Sequence, residues 1–556
     1  YSTVVNNPPL TMPNLTPITS KALLSKVFFS GNVPSSVYQF EYSALPTEAW
    51  LKNKSMDFFG FYNGLASNNN KPTLHFYANE SDGRRLRVTP IANTAGVIVA
   101  GADRSVNAQA IGTGLLTKII YPSGGFADIT YEPNRYWDNS VGEELLGKGV
   151  RVKRIATQGG EIAFGKSIDA PNNYRSGIRD YEYKLGNNNT SGLLLAPIKL
   201  GYITSASQNN GIIQSVSNLG EEPEIFYSRV AEVMPGQGRR VYEFGIQGTF
   251  PETASGDWKA TKSRLARMAN GANCLPSGNV KNGFYTFPFP PSTNYGHRRG
   301  FLNKLSEYSE TGTLVREKTQ TASVLNQNPV VVKGIRFEKI DNIYYYGIYE
   351  MLTGQLQVIN TEVVAEASRE NPSLWMSTTT QYSYNSNKML STVTTNLPDG
   401  TVTVKKTKYA NDFIFSNPVA SDTMAVALKK LNEIGRTGEV VETITQVTLP
   451  GGVPVVSSSL ILYRDFGNGR VLPHYLLSLP PGAALTEAVA TGGNFVKDTD
   501  YKVMSSLKEY SQEGQLLSAI DNKRNLSATH YINGPGIPAV TLSHARAQAA
   551  VYEGFE

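Results

Sequence analysis

The sequence predicts an all-β fold, an antiparallel sheet rich in hairpins with one or two short helices, and three observations carry that prediction. Turn signals recur at short intervals between runs rich in Thr, Val, Ser and Tyr. Tyr is unusually abundant, 30 residues against 4 Trp and 9 Met, as pleated, half-buried surfaces favour. The turns themselves are a few residues long, which suits antiparallel neighbours, because parallel strands need crossovers of about a dozen residues or more.

Each element follows from a local pattern. Leu116 to Tyr131 reads LTKIIYPSGGFADITY, in which Pro122-Ser123-Gly124-Gly125 separates two β-prone runs and Ala127, Ile129 and Tyr131 share a face. Between Leu390 and Tyr409, STVTT and TVTVKKTKY flank Leu397-Pro398-Asp399-Gly400, where Gly tolerates the positive φ of a tight turn. Pro450-Gly451-Gly452 plays the same part between VVETITQVTL and VPVVSSSLILY. One helix is predicted over Thr423 to Glu433. Ser421 or Asp422 caps it, Met424, Ala427, Leu428 and Leu431 recur at helical spacing, and Gly435 ends it. A second is predicted from Trp258 to Ala269, ended by Gly271. Exposed loops are expected at Lys184 to Gly192 and at Cys274 to Gly296.

These signals divide the chain into an N-terminal β region (1–110), a β-hairpin region (111–275), a Pro/aromatic loop (276–297), a repeat region (298–415), a short helix (416–435) and a C-terminal repeat region (436–556). With 556 residues, 40% of them hydrophobic and 18% charged, the chain has apolar material enough to fold and no coiled-coil composition.

Several chemistries find no support. A single cysteine, Cys274, excludes a disulfide framework and cysteine-rich zinc sites. The five histidines, His75, His297, His474, His530 and His544, form no metal-binding pair. The net charge of +6 comes from scattered cations rather than a basic stripe, so no nucleic-acid partner is expected. No apolar run reaches the ~18 residues of a membrane span. Gly160 to Ser167 matches the phosphate-loop string G-x-x-x-x-G-K-[ST], but its interior EIAF reads as strand and Pro171 and Gly177 follow, where a nucleotide site needs a helix. No G-x-S-x-G elbow and no G-x-G-x-x-G occur. No catalytic residue, cofactor or metal site is assigned. The start at Tyr1 and the ending YEGFE suggest a piece of a longer polypeptide.

The informative pattern is a Tyr-x-x-x-Gly-x-Leu unit. Tyr308, Gly312 and Leu314 form one copy and Tyr510, Gly514 and Leu516 another; Tyr384 and Leu390 frame a looser one with Lys388 at the glycine position. Each unit is expected to end a strand with Tyr, turn through polar residues, and begin the next strand with Leu.

These units, with the strings DFFGFYNG, GLLTKIIYPSGGFADITYEPNRY, GKGVRVKRI, SDTMAVALKKLNE and the YEGFE end, resemble the bacterial Rhs or YD-repeat family in its divergent, large secreted or surface form. The usual Tyr-Asp is replaced here by Tyr-Ser or Tyr-Asn. The resemblance implies a non-enzymatic β wall, spiral or shell-like, that encloses or displays a C-terminal polypeptide such as a toxin. It also implies a secreted or cell-surface location. The expected partners are the remainder of the protein's own chain or an enclosed polypeptide, with secretion or surface machinery. No Asp-Pro dipeptide or self-cleavage core of the family type is present in the chain. Two other readings stay open: an adhesin or glycan-binding surface protein using Trp137 or Trp258 as stacking platforms, and a carbohydrate-active enzyme built on two dispersed carboxylates.

Overall fold

A computed structural model describes residues 106–138, 142–159, 176–194, 225–246, 265–270, 281–282, 299–326, 330–340, 343–467, 469–482, 484–531 and 538–544, with short stretches between 23 and 99. Among the described residues strands make up 61% and helix 4%, and the strand pairs are antiparallel, as the composition predicts. The chain divides into two compact units, 1–317 with 324–357, and 318–323 with 358–556.

In the first unit, consecutive strands pair with their neighbours along the chain: Lys26–Phe29, Ser36–Tyr42, Leu116–Ile120, Phe126–Asp138, Glu143–Gln158, Ser176–Glu182, Arg229–Met234, Gly238–Ile246 and Arg299–Tyr308, each antiparallel to the next. A separate sheet joins Lys281–Asn282, Leu265–Asn270, Ile343–Thr353 and Val330–Ile340. The helix expected over Trp258 to Ala269 is therefore corrected in its described part. Leu265–Asn270 is a strand paired to Ile343–Ile348, because a free sheet edge satisfies its backbone and overrides the modest helix propensity of LARMAN.

The second unit is a meander. Its strands are β1 (Leu356–Ala367), β2 (Trp375–Tyr384), β3 (Leu390–Asn396), β4 (Val402–Tyr409), β5 (Val440–Thr448), β6 (Val455–Asp465) and β7 (Val471–Leu479). A small hairpin, β8 (Val489–Thr491) with β9 (Asn494–Val496), precedes β10 (Lys502–Tyr510), β11 (Leu516–Asp521), β12 (Leu526–Tyr531) and β13 (Pro538–Ser543). Apart from that hairpin, every strand pairs with the one before it, β10 pairing directly with β7.

Two excursions leave this ladder and build its core. Between β4 and β5 runs helix α1 (Thr423–Glu433), whose N-cap Asp422 accepts the amides of Met424 and Ala425. Gly435, at φ +78°, closes the helix, with Arg436 N bonded to Leu431 O and Gly435 N to Asn432 O, the paired pattern of a Schellman end. Met424, Ala425, Ala427, Leu428 and Leu431 are buried against Val441, Leu460, Tyr463, Val471, Leu477 and Leu479. Each fully buried leucine contributes about 1.5–3 kcal/mol.

The second excursion, between β7 and β10, carries β8 and β9 onto α1. Phe495 packs on Phe413 with ring centroids 5.2 Å apart, and its amide donates to Asp422 Oδ2 at 2.7 Å. Asp422 thus serves two elements, helix cap through one oxygen and anchor through the other. Replacing it with Ala is expected to cost about 2 kcal/mol, a cap and a charge-assisted bond together, measured as the shift in denaturant midpoint. A loss below about 0.5 kcal/mol would contradict the dual role.

Candidate functional site

The repeat residues predicted from sequence all sit at hairpins. Tyr308 ends the strand Arg299–Tyr308 and Leu314 begins Leu314–Leu325; Tyr384 ends β2 and Leu390 begins β3; Tyr510 ends β10 and Leu516 begins β11. The intervening turn has one hydrogen-bond pattern. Ser309 N bonds to Thr313 O and Gly312 N back to Ser309 O; Asn385, Met389 and Lys388 repeat the pattern, and so do Ser511, Gln515 and Gly514. The residue returning that bond has positive φ: Gly312 at +82°, Lys388 at +66°, Gly514 at +87°. This is a three-residue loop closed by a left-handed residue, whose twist suits the flanking strands. Four more turns share the pattern, with Gly124, Asn188, Gly400 and Arg524 in the left-handed place. Two of those four, at Pro122–Gly125 and Leu397–Gly400, are hairpins read from the sequence.

The tyrosines have a second role that sequence reasoning missed. Tyr384 donates its phenol to Ile359 O at 2.9 Å and Tyr510 to Pro473 O at 2.6 Å. Tyr409 reaches Leu390 O, Tyr463 reaches Val440 O and Tyr531 reaches Leu516 O, at 2.8, 2.9 and 3.1 Å. In the second unit, therefore, β2, β4, β6, β10 and β12 each close with, or within two residues of, a tyrosine bonded to the opening of the preceding strand. In the first unit Tyr42, at the end of Ser36–Tyr42, bonds Leu24 O just ahead of Lys26–Phe29, whereas Tyr131 reaches Leu116 O from within Phe126–Asp138 and Tyr183, just past Ser176–Glu182, reaches Val152 O within Glu143–Gln158. Tyr308 differs: its ring takes the Arg239 guanidinium at 4.6 Å. The available signal was a Tyr at a strand's last position, which the Tyr-x-x-x-Gly spacing hides wherever the turn is replaced, as after Tyr409 by α1.

The most developed polar cluster lies where the two excursions meet β4 and β5. Lys406 and Lys408, two residues apart on one strand, share a face. Glu442 stands directly opposite Lys408 and is fully buried. Its carboxylate accepts Ala488 N at 3.0 and 3.2 Å and the Tyr501 phenol at 2.8 Å, with Lys408 Nζ at 3.8 Å. Tyr501 also bonds Ser458 Oγ; burial, with Glu442 beside it, pushes that phenol well above its ordinary value. A buried carboxylate is tolerable only when paired and hydrogen-bonded in this way.

Glu487, on the second excursion, receives Lys408 on one oxygen and Lys406 on the other, each at 2.9 Å, and the two ammoniums hold its carboxyl below the usual glutamate range. Beside this pair opens a cleft of about 550 Å³ lined by Ser391, Thr392, Lys406, Thr407, Lys408, Asp412, Phe413, Ile414 and Ala488–Ala490. Among the described residues, no cluster of His, Cys, Asp and Glu is placed to hold a metal ion, and no helix is long and apolar enough to cross a membrane. Trp137 lies half-buried in the strand Phe126–Asp138. Trp258, the string Gly160–Ser167 and most of the Pro/aromatic loop lie outside the described residues.

No family model and no curated protein matches the chain. Among solved structures it is similar, over 78% of its length, to a chain in a complex of TcdB2, TccC3 and Cdc42, at 9% identity and a TM-score of 0.33. The same figures hold for TcdB2-TccC3 without its hypervariable C-terminal region. The chain spans 24% of the length of either.

Two predictions follow from the turns and the tyrosines. Gly514→Val is expected to destabilise by about 1–2 kcal/mol or more, since an L side chain strains the left-handed region. Lys388→Gly, relieving the same strain at the equivalent place, is expected to raise stability by up to about 1 kcal/mol; equal midpoints for both variants and the parent would contradict a shared turn geometry. The second concerns alkali. Burial raises the Tyr510 and Tyr183 phenols from the ordinary value of 10.0 to about 12, and raises those of Tyr131, Tyr384 and Tyr409 as well. Because the fold prefers the protonated phenol, this contribution is whole below pH 10 and is lost as pH rises through about 12. Unfolding midpoints recorded alongside phenolate absorbance should fall across that interval, and a flat profile would refute the linkage.

Proposed function

We propose that the chain is a non-enzymatic structural segment of a secreted or cell-surface Rhs-like protein, a β wall that encloses or displays a polypeptide. The observation that supports this reading is the nearest-neighbour ladder of the second unit, in which every second strand is fastened to the one before it by a tyrosine at or near its end. Such a ladder grows by adding two-strand units, each needing only its predecessor, which is how walls and solenoids extend. The Tyr-x-x-x-Gly-x-Leu units are the sequence form of that joint. The buried polar cluster supports the same reading, because Glu442 is spent on Ala488, Tyr501 and Lys408 and is fully covered, where a catalytic carboxylate must reach its substrate.

The test is to isolate the protein from its source and identify by mass spectrometry every polypeptide retained with it, before and after limited proteolysis. A companion polypeptide, attached or cleaved, that survives proteolysis only while the β wall is intact is the expected result. Retention of polysaccharide with no companion polypeptide would overturn the wall reading in favour of an adhesin.

A further inference from the structure

We propose that the cleft beside Lys406 and Lys408 is a binding site for a small carboxylate-bearing ligand of the sugar-acid class, and that Glu487 is the internal carboxylate that occupies its charged end. The cleft is complete within the second unit, so the inference stands apart from the wall reading.

The geometry is that of a formed anion seat. The two ammoniums approach separate oxygens of one carboxylate at 2.9 Å each. Lys408 keeps its place without Glu487, because Ala488 O accepts from it at 2.9 Å and buried Glu442 faces it across the ladder. Lys406 and Glu487 have side chains 47% and 37% exposed, whereas Glu442 is at 0%. The Glu487 bond is therefore the one that solvent and ligand can reach, and an exposed ion pair holds only weakly. An arriving carboxylate exchanges for Glu487 without uncovering a buried charge.

The rest of the cleft matches a hydroxylated body. Thr392 stands directly opposite Lys406, so hydroxyl and ammonium project on one face. Ser391 Oγ, already donating to Ser383 O, keeps lone pairs for a ligand hydroxyl. Exposed Ile414 and Val489 supply an apolar wall, and about 550 Å³ lies within the usual range for small-molecule sites.

The probes are glucuronate, glucose and N-acetylglutamate amide, titrated into the full chain by calorimetry. Glucuronate should bind, glucose should not, and the peptide-like carboxylate should bind more weakly than glucuronate. Glu487→Gln, which removes the internal competitor, should tighten glucuronate binding by up to about fivefold, the most that displacing an exposed ion pair costs. Lys406→Met should abolish binding with an unchanged melting temperature, since Lys406 is half exposed. No binding in Glu487→Gln, equal binding in Lys406→Met, or equal affinity for glucose would overturn the site. N-acetylglutamate amide binding as tightly as glucuronate would overturn the sugar-acid assignment.

Discussion

The ladder depends on how a strand's end is held. In a meander every interior backbone group finds a partner across the sheet, but the final residues beside each turn fray unless something fastens them. Tyrosine answers that need physically: its ring covers the pleated surface while its hydroxyl reaches a carbonyl that still has a free lone pair. Tyr384, Tyr409, Tyr463, Tyr510 and Tyr531 occupy equivalent places on alternate strands. The true repeat is thus a pair of strands, with the latch inside the pair and the turn between pairs.

A ladder of this kind is wide and thin, and its weak point is the face it leaves to water. The second unit covers part of that face with α1 and with the β8–β9 excursion, and its apolar core gathers beneath them. Polar groups lock the cover in place: Asp422 spans cap and hairpin, and Glu442 draws Ala488 and Tyr501 down onto the sheet. Neutral groups could bury as much area, but a carboxylate with fixed partners admits one registration of the excursion and penalises others, the specifying role such buried charges have in some folds.

Legibility in the sequence followed the range of the interaction. Turns are local, so Gly124 and Gly400 were readable from their turn residues, Gly514 from the Tyr-x-x-x-Gly-x-Leu spacing, and the helix from Asp422 to Gly435 from its caps and spacing. The turn at Lys388 was recognisable only through its flanking Tyr384 and Leu390, because the left-handed residue there is not glycine. Leu265–Asn270 misled for the opposite reason: its composition is helical, and only the edge of Ile343–Thr353, over seventy residues on, makes it a strand. Glu442 could not be singled out at all. Nothing in VVETITQ distinguishes that glutamate from a solvent-facing one, since its partners Ala488 and Tyr501 come from an excursion 46 and 59 residues away.

Those distant partners also explain where chemistry can reside on such a chain. Successive hairpins joined by three-residue turns present flat faces and tight rims, and neither shape encloses a ligand. A concave site needs the path to leave the sheet and return, as it does between β4 and β5 and again between β7 and β10. The cleft opens where those two departures converge, lined by Asp412 to Ile414 from one and Ala488 to Ala490 from the other. The regular part of the chain therefore supplies reach and rigidity, and its two irregularities supply recognition, the division expected when sites are grafted onto a scaffold rather than implied by it.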